Sequence, residues 1–254
     1  LLIAGFGFKI TAVPFQMWAP DVYEGLPTPV TAFLSVASKA AGFAVIIRVL
    51  YLAFPAEALS IEWSAIFAVI AALSMTVGNL VAIAQRNIKR MLAYSTVAHA
   101  GYLMMGIAAV AARAPADQSD VGPTGVLFYL GGYAATNLAA FSAVIAISNR
   151  TGSDAIDSFA GMGRRAPYLA AALAFSMVSL TGVPPAVGFI VKVYIFGAAI
   201  SSGLAWLAVV GVINSVISAY YYLRVIRVMY LLAPLEIEPI RPGFPTRIAV
   251  LTTS

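Results

Sequence analysis

The sequence predicts an all-α, polytopic transmembrane helix bundle in which two of the spans are broken. Three observations predict it. Mean hydropathy is +0.93, with 61% hydrophobic and only 10% charged residues, whereas soluble domains run near a quarter charged. Several apolar runs exceed the roughly 18–20 residues needed to cross a ~30 Å hydrocarbon core. Two of those runs carry prolines in their interior, Pro14 in one and Pro184-Pro185 in the other. A proline lacks the backbone donor that the helical ladder needs, so each span must break where its prolines fall.

Seven spans and the start of an eighth follow in order. Span one, about 1–18, is broken near Pro14. A turn over 20–27 with Asp21, Glu24 and Gly25 leads to span two, 28–54. After a Pro/Glu loop, span three covers 63–84. The basic turn 85–90 introduces span four, 91–112. A polar loop, 113–123, precedes span five, 124–148. The longest inner loop, 149–165, mixes Arg150, Asp154, Asp157, Arg164 and Arg165. Span six, 167–200, is too long for one straight helix and is broken at Pro184-Pro185. Span seven, 204–232, ends in Tyr220, Tyr221, Tyr222, Arg224 and Arg227, where tyrosines suit the headgroup layer. Another apolar segment has begun at Ile248.

Because spans alternate sides, the loops sort into two sets. One set holds Arg86, Lys89, Arg90, Arg150, Arg164, Arg165, Arg224, Arg227, Arg241 and Arg247, and the other only Arg48 and Arg113. This bias places the first set in the cytoplasm. The loop at Asp21 and Glu24 has no base of its own and is assigned inside by parity alone.

Composition also excludes classes of function. The chain has no cysteine, which removes disulfides, zinc thiolates and Fe–S ligation, and one histidine cannot hold a haem from both faces. The basic balance falls in short loops beside apolar spans, which fits membrane sidedness and no nucleic-acid partner. Gly161-Met162-Gly163 lacks the strand, third glycine and acidic partner of a dinucleotide fingerprint. Asn149-Arg150-Thr151 has sequon spacing but lies on the inferred cytoplasmic side. No redox-catalytic residue, cofactor site or metal site is expected in this chain. The sequence opens inside an apolar helix without a charged leader, and it reads as a fragment.

The three lysines outside the loops, Lys9, Lys39 and Lys192, and the single histidine, His99, are the candidates for chemistry. No carboxylate accompanies them in the expected spans. A membrane lysine often snorkels to the interface. From mid-span, Lys39 and Lys192 would have to bridge roughly 15 Å of hydrocarbon, beyond the reach of a four-carbon stem. An intramembrane ammonium costs at least a few kcal/mol and marks an ion path by default. Discontinuous helices mark the same thing. His99 takes and gives a proton near neutrality, although a lone histidine also serves for packing. Thr11, Ser35, Ser38, Asn79, Tyr94, Asn137, Thr181 and Asn214 are polar at membrane depth and either hold water wires or cross-link helices.

The run from Gly7-Phe8-Lys9 through Pro14-Phe15-Gln16-Met17-Trp18-Ala19-Pro20-Asp21-Val22-Tyr23-Glu24-Gly25 continues as Pro27-Thr28-Pro29-Val30-Thr31 to Ser38-Lys39. With Asn87-Ile88-Lys89-Arg90-Met91-Leu92-Ala93-Tyr94-Ser95 and Gly182-Val183-Pro184 to Gly188-Phe189-Ile190-Val191-Lys192, it closely resembles the N-subunit family of bacterial respiratory complex I. That enzyme is the proton-pumping NADH–quinone oxidoreductase. The resemblance covers nearly the whole chain and implies an antiporter-like fold of inverted five-helix repeats, each with one broken helix. It implies that residues 1–54 are the last two helices of the first repeat. Residues 55–232 would be the second repeat, and 233–254 a cytoplasmic loop and the start of a final helix. By resemblance, Lys9 is the first half-channel lysine, Lys39 the bridging lysine and Lys192 the second half-channel lysine, with His99 on the central helix. About six helices would precede Leu1.

The resemblance further implies a multi-pass protein of the bacterial cell (inner) membrane, embedded in the lipid bilayer beside other membrane subunits of complex I, including neighbouring antiporter-like subunits. NADH, flavin, Fe–S clusters and quinone would belong to partner subunits. The competing reading is a subunit of a multisubunit cation/proton antiporter. A sodium site would be expected to use carboxylate or carbonyl oxygens, and the spans offer no Asp or Glu.

Overall fold

The computed structural model describes residues 1–52, 61–112 and 121–234, and everything in them is helix or short connection. The expected span start at Ile248 and the loop residues Arg113, Asp117, Arg241 and Arg247 lie outside the described residues.

Each break in the chain has a local cause. Helix α1 (Leu2–Ile10) ends at Thr11, ahead of Pro14. Residues 18–25, most of them expected to form a turn, instead form a second short helix, α2 (Trp18–Gly25). Pro20 permits this because it falls in the first turn, where a backbone N–H has no helical partner anyway. Span two is α3 (Thr28–Phe33) and α4 (Lys39–Leu52), joined without interruption by a π-helical turn over Leu34–Ser38. Such turns leave a carbonyl outside the regular ladder and recur at functional positions. Helix α5 (Ile61–Ile83) is continuous, and α6 (Ile88–Ala111) starts on Asn87, whose side chain caps the Lys89 and Arg90 amides.

Helix α7 (Val121–Thr151) is longer than expected, reaching about 46 Å at 1.5 Å per residue. The inner loop that follows is a folded cap. It contains a 3₁₀ turn (Ile156–Phe159) and the single-turn α8 (Met162–Arg165), and it buries Ile156, Phe159 and Met162. Span six is α9 (Pro167–Thr181) and α10 (Val187–Ser201), separated at the diproline as expected. The last described helix is α11 (Ala205–Leu231).

Helix α6 is the axis of the bundle. It touches α2, α4, α5, α7, α10 and α11, and nearly all its side chains are buried. Small residues let α5 approach it closely. A Cβ on Gly78 would come within 2.6 Å of the Ala98 nitrogen, and one on Gly101 within 2.7 Å of the Ala71 carbonyl oxygen. The outer surface is the reverse of a soluble protein's. Val209, Val212, Ile213, Val216 and Leu223 lie along one exposed face of α11, and Val69, Leu73 and Leu80 along α5. Four of the described helical stretches, 28–50, 63–83, 122–151 and 205–231, are long and apolar enough to cross a membrane.

The connections expected on the cytoplasmic side gather at one end. Lys89 pairs with Asp154 at 2.9 Å and also donates to the Leu26 carbonyl. The Ile88 amide donates to Asp154 and the Ile156 amide to the Arg86 carbonyl, so the 85–90 turn and the 149–165 loop zip together. Arg224 donates to the Ile83 and Gln85 carbonyls from α11. The acidic first connection belongs to the same cluster. Arg90 reaches both Asp21 (2.8 Å) and Glu24 (2.7 Å), so the loop without a base borrows one from α6.

Candidate functional site

Both helix breaks expose backbone oxygens to the interior, and each receives a lysine. The end of α9 presents the carbonyls of Leu180 and Thr181, to which the Lys192 ammonium donates at 3.2 and 2.7 Å. Lys192 stands on α10, directly after the break, and is only 4% exposed. Gly182 closes α9 with a left-handed backbone, φ 88°, and the Lys192 stem runs against it. The end of α1 presents the Ile10 carbonyl and the Thr11 hydroxyl to the ammonium of Lys39, which donates to Ile10 O at 2.8 Å and to Thr11 Oγ1. Lys39 is 1% exposed. In both cradles the ammonium sits where the unsatisfied carbonyls and the helix dipole are negative.

The break in span one therefore holds Lys39 from the next span, and not the span's own Lys9. Lys9 lies on the exposed side of α1, because the buried positions of that short helix are Gly7 and Ile10. A residue adjacent to a buried position on a helix is rotated by about 100° from it. Among the described residues Lys9 is exposed, and the first break is occupied by Lys39.

His99 lies between the two cradles, 4% exposed. Its Nδ1 is 2.8 Å from the Tyr129 hydroxyl and its Nε2 3.3 Å from the Tyr222 hydroxyl, which in turn meets Ser95 Oγ at 2.5 Å. The Tyr133 ring packs 4.9 Å from the imidazole. Lys192 lies over the Tyr102 ring, 4.7 Å from its centroid, within cation–π range. A small cavity lined by His99, Tyr129, Tyr133, Thr136, Ser179 and Lys192 joins the histidine to the second lysine. It holds about 10 Å³ for the centre of a water molecule, close to the smallest space that admits one.

Toward Lys39 the link is built on α7. Tyr129, Tyr133 and Asn137 recur at four-residue spacing and share one face of that helix. Asn137 donates to Ser35 Oγ at 2.6 Å, and Tyr133 donates to the Ser35 carbonyl in the π-helical turn just before Lys39. Ser35 spends its own hydrogen on the Ala32 carbonyl. The amide must therefore present its nitrogen to Ser35, which leaves Asn137 Oδ1 buried without a donor.

Of the other polar residues expected to matter, Asn79 and Asn214 bond each other, with Tyr221 on Asn79 and Thr76 on Asn214, and thereby tie α5 to α11. Thr181 contributes its carbonyl to Lys192 and turns its hydroxyl back to Met177. Ser38 and Tyr94 are only partly buried. Sequence reasoning missed Tyr102, Tyr129, Tyr133, Ser95 and Tyr222. It had assigned Tyr221 and Tyr222 to the headgroup layer, yet they are 1% and 0% exposed, and only Tyr220 faces outward at 63%. The four-residue spacing of Tyr129, Tyr133 and Asn137 was the available signal.

Residues 1–218 match the transmembrane family described as NADH:quinone oxidoreductase/Mrp antiporter. The chain belongs to that family. Like its members, it is a multi-pass membrane protein. It is 51% identical to the NADH-quinone oxidoreductase subunit N of Dehalococcoides mccartyi over 251 residues, covering 98% of this chain and 51% of that relative. The chain thus spans about half the length of the curated relatives it matches. Among solved structures it resembles a chain of respiratory complex I from Thermus thermophilus with bound aureothin. That likeness has a TM-score of 0.76 and 36% identity, covering 99% of this chain and 53% of that one. It also resembles a chain of the membrane-bound sulfane sulfur reductase, an archaeal respiratory membrane complex, with a TM-score of 0.84 and 26% identity over 97% and 49% of the two chains. The antiporter-like fold implied by the sequence is therefore shown.

Proposed function

We propose that this chain is part of a proton-translocating subunit of an NADH–quinone oxidoreductase in a bacterial cell membrane. Protons pass between Lys39 and Lys192 by way of His99 and bound water, while partner subunits carry NADH, flavin, Fe–S clusters and quinone and perform the electron transfer. One observation carries the reading: two buried ammonium groups, each held at the broken end of a half-helix, with a histidine and a line of hydroxyls between them. A lysine deep in a bilayer is expensive and is kept where it does work on ions.

The groups between the lysines suit proton transfer in both directions. Each of Tyr129, His99, Tyr222 and Ser95 can donate and accept a hydrogen bond. The run can therefore be polarised either way, with the imidazole tautomer switching as it reverses. Asn137 Oδ1 lacks a donor and is a natural seat for a water beside Lys39. Residues 1–54 are read as the end of one antiporter-like repeat and 55–232 as the second, with 233–254 beginning a last helix. Lys9 is read as a first half-channel residue whose partners lie in the part of the family fold that this chain does not span. Other membrane subunits of the complex, including antiporter-like neighbours, would bind the exposed apolar faces together with lipid.

The test is Lys39→Ala in the full-length subunit of an assembled complex, with proton uptake by membrane vesicles followed during NADH oxidation and assembly checked on native gels. Pumping should fall, and NADH–quinone turnover with it because the two are coupled. Lys39→Arg should not restore them, since a guanidinium hardly releases its proton. Normal assembly with undiminished pumping in Lys39→Ala would reject the relay.

A further inference from the structure

The two helix breaks are versions of one sequence. Ile10-Thr11-Ala12-Val13-Pro14 and Leu180-Thr181-Gly182-Val183-Pro184 share Thr-x-Val-Pro, and each stops its half-helix with a left-handed residue. At the second break that residue is Gly182, φ 88°, for which the conformation is free of steric penalty. At the first it is Thr11, φ 62°, the one non-glycine residue with positive φ among the described residues. A β-branched residue there is a genuine outlier, and such strain persists where the surroundings require it.

In the shared motif Thr11 matches Thr181 and Ala12 matches Gly182, so the left-handed residue falls one position earlier at the first break, and the two threonines serve their cradles differently. Lys192 receives two carbonyls, and the hydroxyl of Thr181 points away to Met177 O at 2.8 Å. Lys39 receives one carbonyl and one hydroxyl. Thr11 donates its own hydrogen to the Ile10 carbonyl at 2.5 Å, so its oxygen is turned to the ammonium as an acceptor. A carbonyl only accepts, so it pairs with the N–H groups of the lysine but never with the lone pair of its neutral amine. A hydroxyl can also turn and donate to the lone pair of the neutral amine. Glycine at this position would relieve the backbone and remove that second partner.

We infer that Thr11 is a positioning residue for Lys39, held in a strained conformation so that its hydroxyl can pair with the lysine in both protonation states. The inference rests on the relay role proposed for Lys39. It is tested with Thr11→Gly, Thr11→Ser and Lys39→Ala in the full-length subunit of the assembled complex.

Thr11→Gly should assemble with thermal stability close to that of the parent, because relief of the backbone offsets the lost hydrogen bond, yet the rate of proton uptake during NADH oxidation should fall roughly tenfold, the scale of one hydrogen bond to a charged group. The pH at which pumping is half-maximal should move in Thr11→Gly and stay in place in Thr11→Ser, which should pump within about twofold of the parent. A purely structural role predicts the reverse order, with glycine at least as active as threonine. Parental pumping and pH profile in Thr11→Gly, beside a Lys39→Ala variant that does not pump, would overturn this inference alone. Parental pumping in Lys39→Ala would overturn the relay reading and this inference with it. If Thr11→Gly fails to assemble, Thr11→Ser decides: loss of pumping in an assembled Thr11→Ser complex overturns the inference, and retained pumping supports it.

Discussion

Gly182→Ala should damage the Lys192 site more than the loss of a glycine suggests. A Cβ in the left-handed region costs roughly 1–2 kcal/mol on steric grounds. The same atom would lie 2.8 Å from Lys192 Cδ, so the stem must retreat by about 0.6 Å to reach an ordinary 3.4 Å contact. The ammonium now bonds Thr181 O at 2.7 Å and Leu180 O at 3.2 Å, and a retreat of that size takes the longer bond past hydrogen-bonding distance. A hydrogen bond to a charged group is worth about 1.5–3 kcal/mol, and bulk solvent does not reach Lys192, which is 4% exposed. Together these make the charged Lys192 site roughly 2.5–5 kcal/mol less favourable. Proton uptake in vesicles should then fall at least about tenfold. Gly131→Ala is the control, because a Cβ there meets nothing within 4 Å and alanine favours the helix. A double-mutant cycle with Lys192→Ala separates the two terms. In that background only the backbone part, about 1–2 kcal/mol, should remain in the thermal stability of the subunit. Additive stability losses together with undiminished pumping in Gly182→Ala would refute the argument.

Three further outcomes follow from the geometry. Tyr222→Phe removes the hydroxyl between His99 Nε2 and Ser95. It should lower vesicle proton uptake several-fold and stability by about 1–3 kcal/mol, and uptake equal to the parent's would remove Tyr222 from the route. Asn87→Ala removes the cap on the Lys89 and Arg90 amides. It should cost about 1 kcal/mol in thermal unfolding while leaving pumping per NADH unchanged. Because the chain has no native cysteine, single cysteines at positions 86 and 164 should label from the cytoplasm and one at 117 from the opposite side. Labelling of positions 86 and 117 from one side would sink the topology.

What was legible in the sequence is what depends on residues close together in the chain. Apolar runs against a fixed hydrocarbon thickness identify the membrane class. Pro14 and Pro184-Pro185 mark both breaks, because the missing donor acts on its own helix. The depth of Lys39 and Lys192 follows from counting along a span, and the bias of Arg and Lys among the loops predicts which ends meet. The Thr-x-Val-Pro repeat was also there to be read, since each copy is contiguous.

The tertiary structure decided the pairings across distance. Lys39 reaches Ile10 across 29 positions and His99 reaches Tyr222 across 123, and no local pattern encodes either. Helix packing brought Lys39 from the next span to the first break. It buried Tyr221 and Tyr222 while leaving Tyr220 exposed, because consecutive helical residues face different neighbours. It also placed Asp21 and Glu24 on Arg90, so the one loop that departed from the charge bias takes its base from another helix. A sequence sets where along its own helix each polar group sits. Which oxygen, ring or ammonium stands opposite depends on how helices far apart in the chain lie against one another.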